Sequence, residues 1–157
     1  MIGQFFGSFY TSLFEDLMGL DLANYLWGQT SPYMLSNMYI PIGLSMFAIS
    51  LIVMILYYYI IDHPRLCRWW GWLIFLGVNF VINFIVGWQW VLWHLYSGWM
   101  VYKTPDGVEI NMPITEWNCI CFGLSNGLLS VLMFVIFSYM FKWWSANSWI
   151  SPERTFK

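Results

Sequence analysis

Between Arg68 and Lys103 the chain carries no Lys, Arg, Asp or Glu, and tryptophans mass toward both ends of the run from Cys67 to Tyr96. A helix rises about 1.5 Å per residue, so roughly 20 apolar residues cross a hydrocarbon core of about 30 Å. This stretch is longer than that. It reads as a membrane-spanning helix, from about Trp69 to Trp93, with Asn79 and Asn83 in its middle.

The rest of the chain has the same character. It is 60% hydrophobic and 9% charged over 157 residues, against about 25% charged in an average soluble domain. A soluble fold of this length cannot hide so much apolar surface. The formal net charge of −2, with no cluster of Lys and Arg, excludes electrostatic capture of nucleic acid. The expected partners are the lipid bilayer and other membrane protein subunits or copies of the chain itself. The three cysteines are too few for a disulfide framework, and Cys119 and Cys121, two apart on a predicted helix, point apart. They read as small apolar fillers.

Residues 2 to 14 show a helical apolar stripe of Ile2, Phe5, Phe6, Phe9 and Leu13, with Gln4, Ser8, Thr11 and Glu15 projecting opposite. That pattern predicts an amphipathic helix lying in the membrane interface. Its acids Glu15 and Asp16, and the absence of Lys and Arg, favour packing against protein or lying on the non-cytoplasmic leaflet. Phe5, Phe6, Phe9, Leu13, Glu15 and Asp16 are therefore the candidate partner-binding residues. Without a positive n-region the segment does not read as a cleaved signal peptide. A turn-rich passage, Trp27-Gly28-Gln29-Thr30-Ser31-Pro32, follows.

A first span begins near Asn37, accepts Pro41 in its opening turn and continues to Ile61. Asp62-His63-Pro64-Arg65 then forms a tight connection, in which Asp62 can cap the next helix. After the second span, Thr104-Pro105-Asp106-Gly107 separates two short alternating runs, which predicts a small exposed β-hairpin. The third span starts at Trp117, behind Thr115 as N-cap, and reaches Trp144. The fold class is thus an all-α integral membrane protein: three transmembrane helices, an N-terminal amphipathic interfacial helix before them, and a β-hairpin between spans two and three. The divisions fall at 1–36, 37–62, 63–97, 98–116, 117–144 and 145–157.

With three spans, Arg65, Arg68, Lys142, Arg154 and Lys157 share one side of the membrane, and only Lys103 lies on the other. The positive-inside rule then puts the N-terminus outside and the C-terminus in the cytoplasm, in a bacterial inner membrane or an organelle membrane. Tryptophans support the same depths. Trp69, Trp70, Trp72, Trp143 and Trp144 fall at the inner interface, and Trp88, Trp90, Trp93, Trp99 and Trp117 at the outer one. Making residues 1 to 20 a fourth span would bring Glu15 and Asp16 near hydrocarbon, at a few kcal/mol each.

Trp72, Leu76, Asn79, Asn83, Val86, Trp90 and His94 share one face of the second span. By helix rise Asn79 and Asn83 lie about 15 and 21 Å in from one surface, and Asn126 about 14 Å in from the other. Amides at that depth avoid lipid and bond across helices, so the three asparagines are expected to clamp spans two and three together, or else to line a polar path. Gly123 and Gly127, with Ser130 nearby, form a small-xxx-small surface suited to close helix approach. His63 and His94 sit roughly 40 Å apart by helix rise, which excludes an internal bis-histidine haem. No metal cluster, nucleophile triad or phosphate loop is present in the sequence.

The expected function is therefore that of a non-enzymatic integral membrane subunit, held in a larger complex by helix packing. No cofactor is expected beyond bound lipids. Two alternatives remain: a small oligomeric channel or passive solute pathway lined by Asn79, Asn83 and Asn126, and an anchor subunit of an electron-transfer or photosynthetic complex contacting quinone or pigment.

Overall fold

A computed structural model describes residues 2–28, 36–60, 69–104 and 106–142, with side chains from Gly7 onward except at Ile60, Trp69 and Lys142. Three helices are long and apolar enough to cross a membrane: Tyr39–Tyr59, Trp70–Tyr96 and Glu116–Phe141. They belong to α3 (Tyr39–Ile55), which runs on as a π-helical turn at Leu56–Ile60, to α4 (Trp69–Tyr96) and to α5 (Glu116–Lys142). Runs of Leu, Ile, Val and Phe without an interior proline let each helix continue. Pro41 sits in the first turn of α3, where a missing N–H costs nothing. The Asn37 side chain accepts the Tyr39 N–H at 2.9 Å in the same turn.

The start of α5 is tied down reciprocally. Thr115 precedes the helix, and the Asn118 Oδ1 accepts both the Thr115 N–H at 3.1 Å and its hydroxyl at 2.5 Å. This resembles a capping box in which the third helical residue reaches back to the cap. α5 is the central element, packing against α1, α3 and α4. Its closest partner is α4, and glycine makes that approach possible. A Cβ on Gly123 would lie 2.8 Å from the Trp88 Cβ, one on Gly127 2.9 Å from the Phe80 ring, and one on Gly87 2.9 Å from the Asn126 Cβ.

The N-terminal region departs from expectation. Residues Ile2–Met18 form α1, and a second helix, α2 (Leu20–Leu26), follows it. No sequence signal predicts a second helix here. Gly19 joins the two with φ at +87°, a backbone conformation that glycine adopts without steric cost. α1 packs against the rest of the chain through a face other than the apolar stripe. Phe9 and Leu13 face outward at 36% and 54% exposure, while Tyr10 and Met18 are fully buried. The docking face is instead Gly7, Tyr10, Phe14 and Met18, spaced at helical intervals. Its contacts run antiparallel to α5: the Asn118 Nδ2 donates to the Met18 carbonyl at 2.9 Å, and Tyr10 stacks on Phe122, with centroids 5.6 Å apart, and reaches Asn126. The side chains of Phe5 and Phe6 lie outside the described set.

Strands β1 (Val101–Lys103) and β2 (Glu109–Asn111) pair antiparallel, with Val101 opposite Asn111 and Lys103 opposite Glu109. This is the hairpin predicted around Thr104 to Gly107. Tyr102 anchors it by donating to the Asp21 carboxylate at 2.9 Å, so hairpin and α2 brace each other.

Two apolar clusters hold the bundle. The larger, at the hairpin end, gathers Tyr10, Leu22, Tyr39, Met46, Val91 and Phe122 from five helices. The smaller, at the far end, joins Val53, Met54, Tyr57, Tyr58, Phe134 and Phe137. There Ser138 bonds the Tyr58 hydroxyl at 2.6 Å and accepts the Trp72 indole N–H at 3.0 Å. The expected connection at Asp62 to Arg65, and Trp143, Trp144 and the tail, lie outside the described residues.

Candidate functional site

Asn79, Asn83 and Asn126 are all fully buried, because α4 and α5 turn the faces that carry them toward each other. The Asn79 Nδ2 donates to the Ser130 carbonyl at 2.9 Å, and the Asn126 Nδ2 donates to the Asn83 carbonyl at 2.7 Å. Each helix therefore sends an amide into the other's backbone. The Asn83 Nδ2 donates within α4, to the Asn79 carbonyl and Oδ1 at 3.0 and 3.1 Å. Ser130 bonds the Gly127 carbonyl of its own helix at 2.7 Å, while Gly123 and Gly127 lie against Phe80, Phe84 and Trp88.

α1 closes this seam with a residue that sequence reasoning missed. The Tyr10 hydroxyl donates to the Asn126 Oδ1 at 2.5 Å and lies 3.8 Å from the Met46 sulfur. One phenol thus links α1, α3 and α5. Burial pushes the Tyr10 pKa well up, which keeps the hydroxyl available as a donor. Three buried polar atoms have no hydrogen-bond partner among the described residues: Ser50 Oγ, Asn83 Oδ1 and Trp88 Nε1.

A second polar and aromatic group lies at the hairpin end. His94, in the last turn of α4 and 4% exposed, places Nδ1 3.2 Å from the Tyr25 hydroxyl of α2. Burial raises the Tyr25 pKa to about 12, so its neutral form faces the imidazole. The His94 ring stands nearly perpendicular to Trp93 (85°) and tilted by 65° to Trp99, with centroids 5.2 and 5.1 Å away. Ser36, Met38, Trp90, Trp93, His94 and Trp99 together line an open cavity of about 520 Å³. Of these residues, the sequence places Trp90 and His94 on one face of the second span, and Trp90, Trp93 and Trp99 at one membrane surface. Ser36, Met38 and Trp99 arrive from separate segments, and no local spacing signals that.

The candidate interface residues divide by exposure. Trp70, Trp93 and Trp117 are exposed at 67%, 59% and 69%; Trp90 is half-buried against the larger cluster. Asp16 is exposed and Glu15 half-buried. No group of three His, Cys, Asp or Glu side chains arranged to hold a metal occurs among the described residues. Cys119 and Cys121 are buried, free thiols. No family model matches the chain, and no curated protein or solved structure matches it.

Proposed function

We propose that the chain is a non-enzymatic integral membrane subunit that assembles by lateral helix packing into a larger membrane complex. The observation that carries this reading is the outer surface of α4. Only 22% of its most apolar window is buried within the chain, against 56% for α5. Ile74, Val78, Val81, Ile82 and Ile85 face outward along it, an apolar surface that none of the described residues covers. Such surfaces mark contacts with lipid or with other proteins.

The inner polar groups support the same reading. Asn79 and Asn126 each bond the other helix's backbone, and Asn126 also accepts from Tyr10, which favours a clamp over a solute path. α1 contributes a second outward surface, with Phe9, Leu13 and Leu17 exposed beside Ser8, Ser12 and Asp16. That pairing of stripes suits a helix at the boundary between lipid and a partner. In this reading the hairpin end, whose single Lys or Arg is Lys103, faces outside, and the end with the other five, Arg65, Arg68, Lys142, Arg154 and Lys157, faces the cytoplasm.

Extraction in a mild neutral detergent, followed by identification of co-purifying proteins, tests the proposal. A defined partner, or a defined oligomer, is expected. Recovery as a stable single chain with no companion would contradict it.

A further inference from the structure

We infer that one water molecule is held in the middle of the bundle, between Ser50 of α3 and Asn83 of α4, as the polar link that joins α3 to the asparagine clamp. The inference goes beyond the assembly reading and does not need it, because the site lies wholly within one chain.

Two side-chain oxygens require such a partner. Ser50 and Asn83 are both fully buried, and Ser50 Oγ and Asn83 Oδ1 have no hydrogen-bond partner among the described residues. A buried polar atom left in that condition is costly. Other serines of the spans are satisfied locally: Ser45, Ser125 and Ser130 donate to carbonyls of their own helices at 2.8, 2.9 and 2.7 Å. Ser50 makes no such bond, so its hydroxyl is available to a neighbour.

Two independent routes put the two side chains at one level. Tyr57 of α3 packs on Phe75 of α4, with centroids 5.2 Å apart. Ser50 lies seven residues before Tyr57 and Asn83 eight after Phe75, so on antiparallel helices both stand about 10–12 Å from that contact, in the same direction. The second route runs through α5. The Tyr10 hydroxyl touches Met46 of α3 and Asn126 of α5, and one turn further along each helix come Ser50 and Ser130. Asn79 bonds the Ser130 carbonyl and is one turn from Asn83, which again sets Ser50 beside the turn from Asn79 to Asn83. The faces agree as well. Asn83 is two turns from Leu76, which packs with Val53, Met54 and Tyr57 of α3, the face that Ser50 shares.

The donor and acceptor count selects water. Asn83 Oδ1 only accepts, whereas the Ser50 hydroxyl donates or accepts. A water accepts from Ser50, donates one hydrogen to Asn83 Oδ1, and has the second for Asn79 Oδ1, which the Asn83 amide holds at 3.1 Å. That gives it about three partners, the usual number for a buried water. A metal cation would meet neutral oxygens alone, since α3, α4 and α5 beyond Glu116 carry no Asp or Glu, and an unpaired charge at this depth is expensive. Ile42, Met46 and Met54 are buried along the same helix on either side of Ser50, which isolates the site from both surfaces. α3 gains a link that it otherwise has near its ends, where Tyr39 bonds the Ala23 carbonyl and Tyr58 bonds Ser138; at mid-helix its contact with Tyr10 goes through the Met46 sulfur, a weak acceptor.

Water-edited solid-state NMR of the full chain, labelled with 13C and 15N in bilayers of deuterated lipid, tests the inference. Magnetisation from water is expected at Ser50 Cβ and Asn83 Cγ, and none at Ser125 Cβ, an equally buried serine bonded to its own helix. Ile42 and Met54 are expected to receive none. Ser50→Val is expected to abolish the transfer to Asn83 Cγ. Absence of transfer to both Ser50 and Asn83 in the unaltered chain would overturn the inference, and this arm depends on no variant folding. Transfer reaching Ile42 and Met54 as well would overturn it in favour of a continuous polar path, and transfer to Asn83 that survives Ser50→Val would overturn the shared site.

Discussion

Asn126 does more than any other side chain to join the elements, since its two amide ends face different helices. Its Nδ2 donates to the Asn83 carbonyl of α4, and its Oδ1 accepts from Tyr10 of α1. Replacing Asn126 by Leu leaves the Tyr10 hydroxyl buried without its main acceptor, and a stranded buried group costs about 1–3 kcal/mol. Tyr10→Phe removes the donor and leaves the Asn126 Oδ1 short of one bond. Hydrogen bonds between membrane helices average about 0.6 kcal/mol and reach about 1.7, so a loss near 1 kcal/mol is expected for Tyr10→Phe. Reversible denaturation in mixed micelles measures both, and the double variant is expected to cost less than the sum. Strict additivity would show that the two groups do not interact. Asn83→Leu should be milder than Asn126→Leu, because Asn83 already carries an unpartnered Oδ1, and removing that atom offsets part of what is lost.

At the scale of elements, the pairing of α4 with α5 depends on absent side chains. Gly123→Ala places a methyl 2.8 Å from the Trp88 Cβ and 2.9 Å from the Phe84 carbonyl, and forced overpacking costs about 1–3 kcal/mol. Gly77 of α4 is the matched control, since nothing lies within 4 Å of a Cβ built there. Gly77→Ala is expected to stabilise the helix by about 0.5–1 kcal/mol. Equal effects at the two glycines would contradict the close packing. Gly19→Ala is expected to loosen α1 from α2, because it forces a side chain into φ of +87° beside the Asn118 amide, where an L-residue is strained by about 1–2 kcal/mol. Protease sensitivity near residue 19 reads this out.

These elements were unequally legible. The three apolar helices follow from run length and hydropathy, and the hairpin from Thr104-Pro105-Asp106-Gly107, because both signals are local. The docking face of α1 was not legible. In a soluble protein the apolar side of a helix is the buried side, but beside lipid the outward side is apolar as well. The stripe of Phe9 and Leu13 reads as a surface for lipid or a partner, and gives no sign that Gly7, Tyr10 and Met18 form the contact with the rest of the chain. The buried asparagines stood out because an amide in an apolar run has few places to go. The cavity around His94 could not be read, since Ser36, Met38 and Trp99 meet it only through the tertiary fold.

For the whole molecule, the inside is tied together by hydrogen bonds and close glycine contacts, while the outside of the spans is a set of apolar ladders. α5 shows one at Leu124, Leu128, Leu132 and Ile136, and α4 another from Ile74 to Ile85. Lipid and protein partners make different demands on such a ladder. Fluid acyl chains accommodate an added indole, whereas a helix packed to crystalline density does not. The most direct test is the mass of the detergent-solubilised particle formed by the unaltered chain and by an Ile85→Trp variant, each expressed in its own membrane. The unaltered chain is expected in a particle heavier than one copy, and Ile85→Trp is expected to shift it toward the single chain without loss of helix content. A single-chain mass for the unaltered protein, or an assembly indifferent to a bulky residue anywhere along Ile74 to Ile85, would contradict lateral assembly through α4.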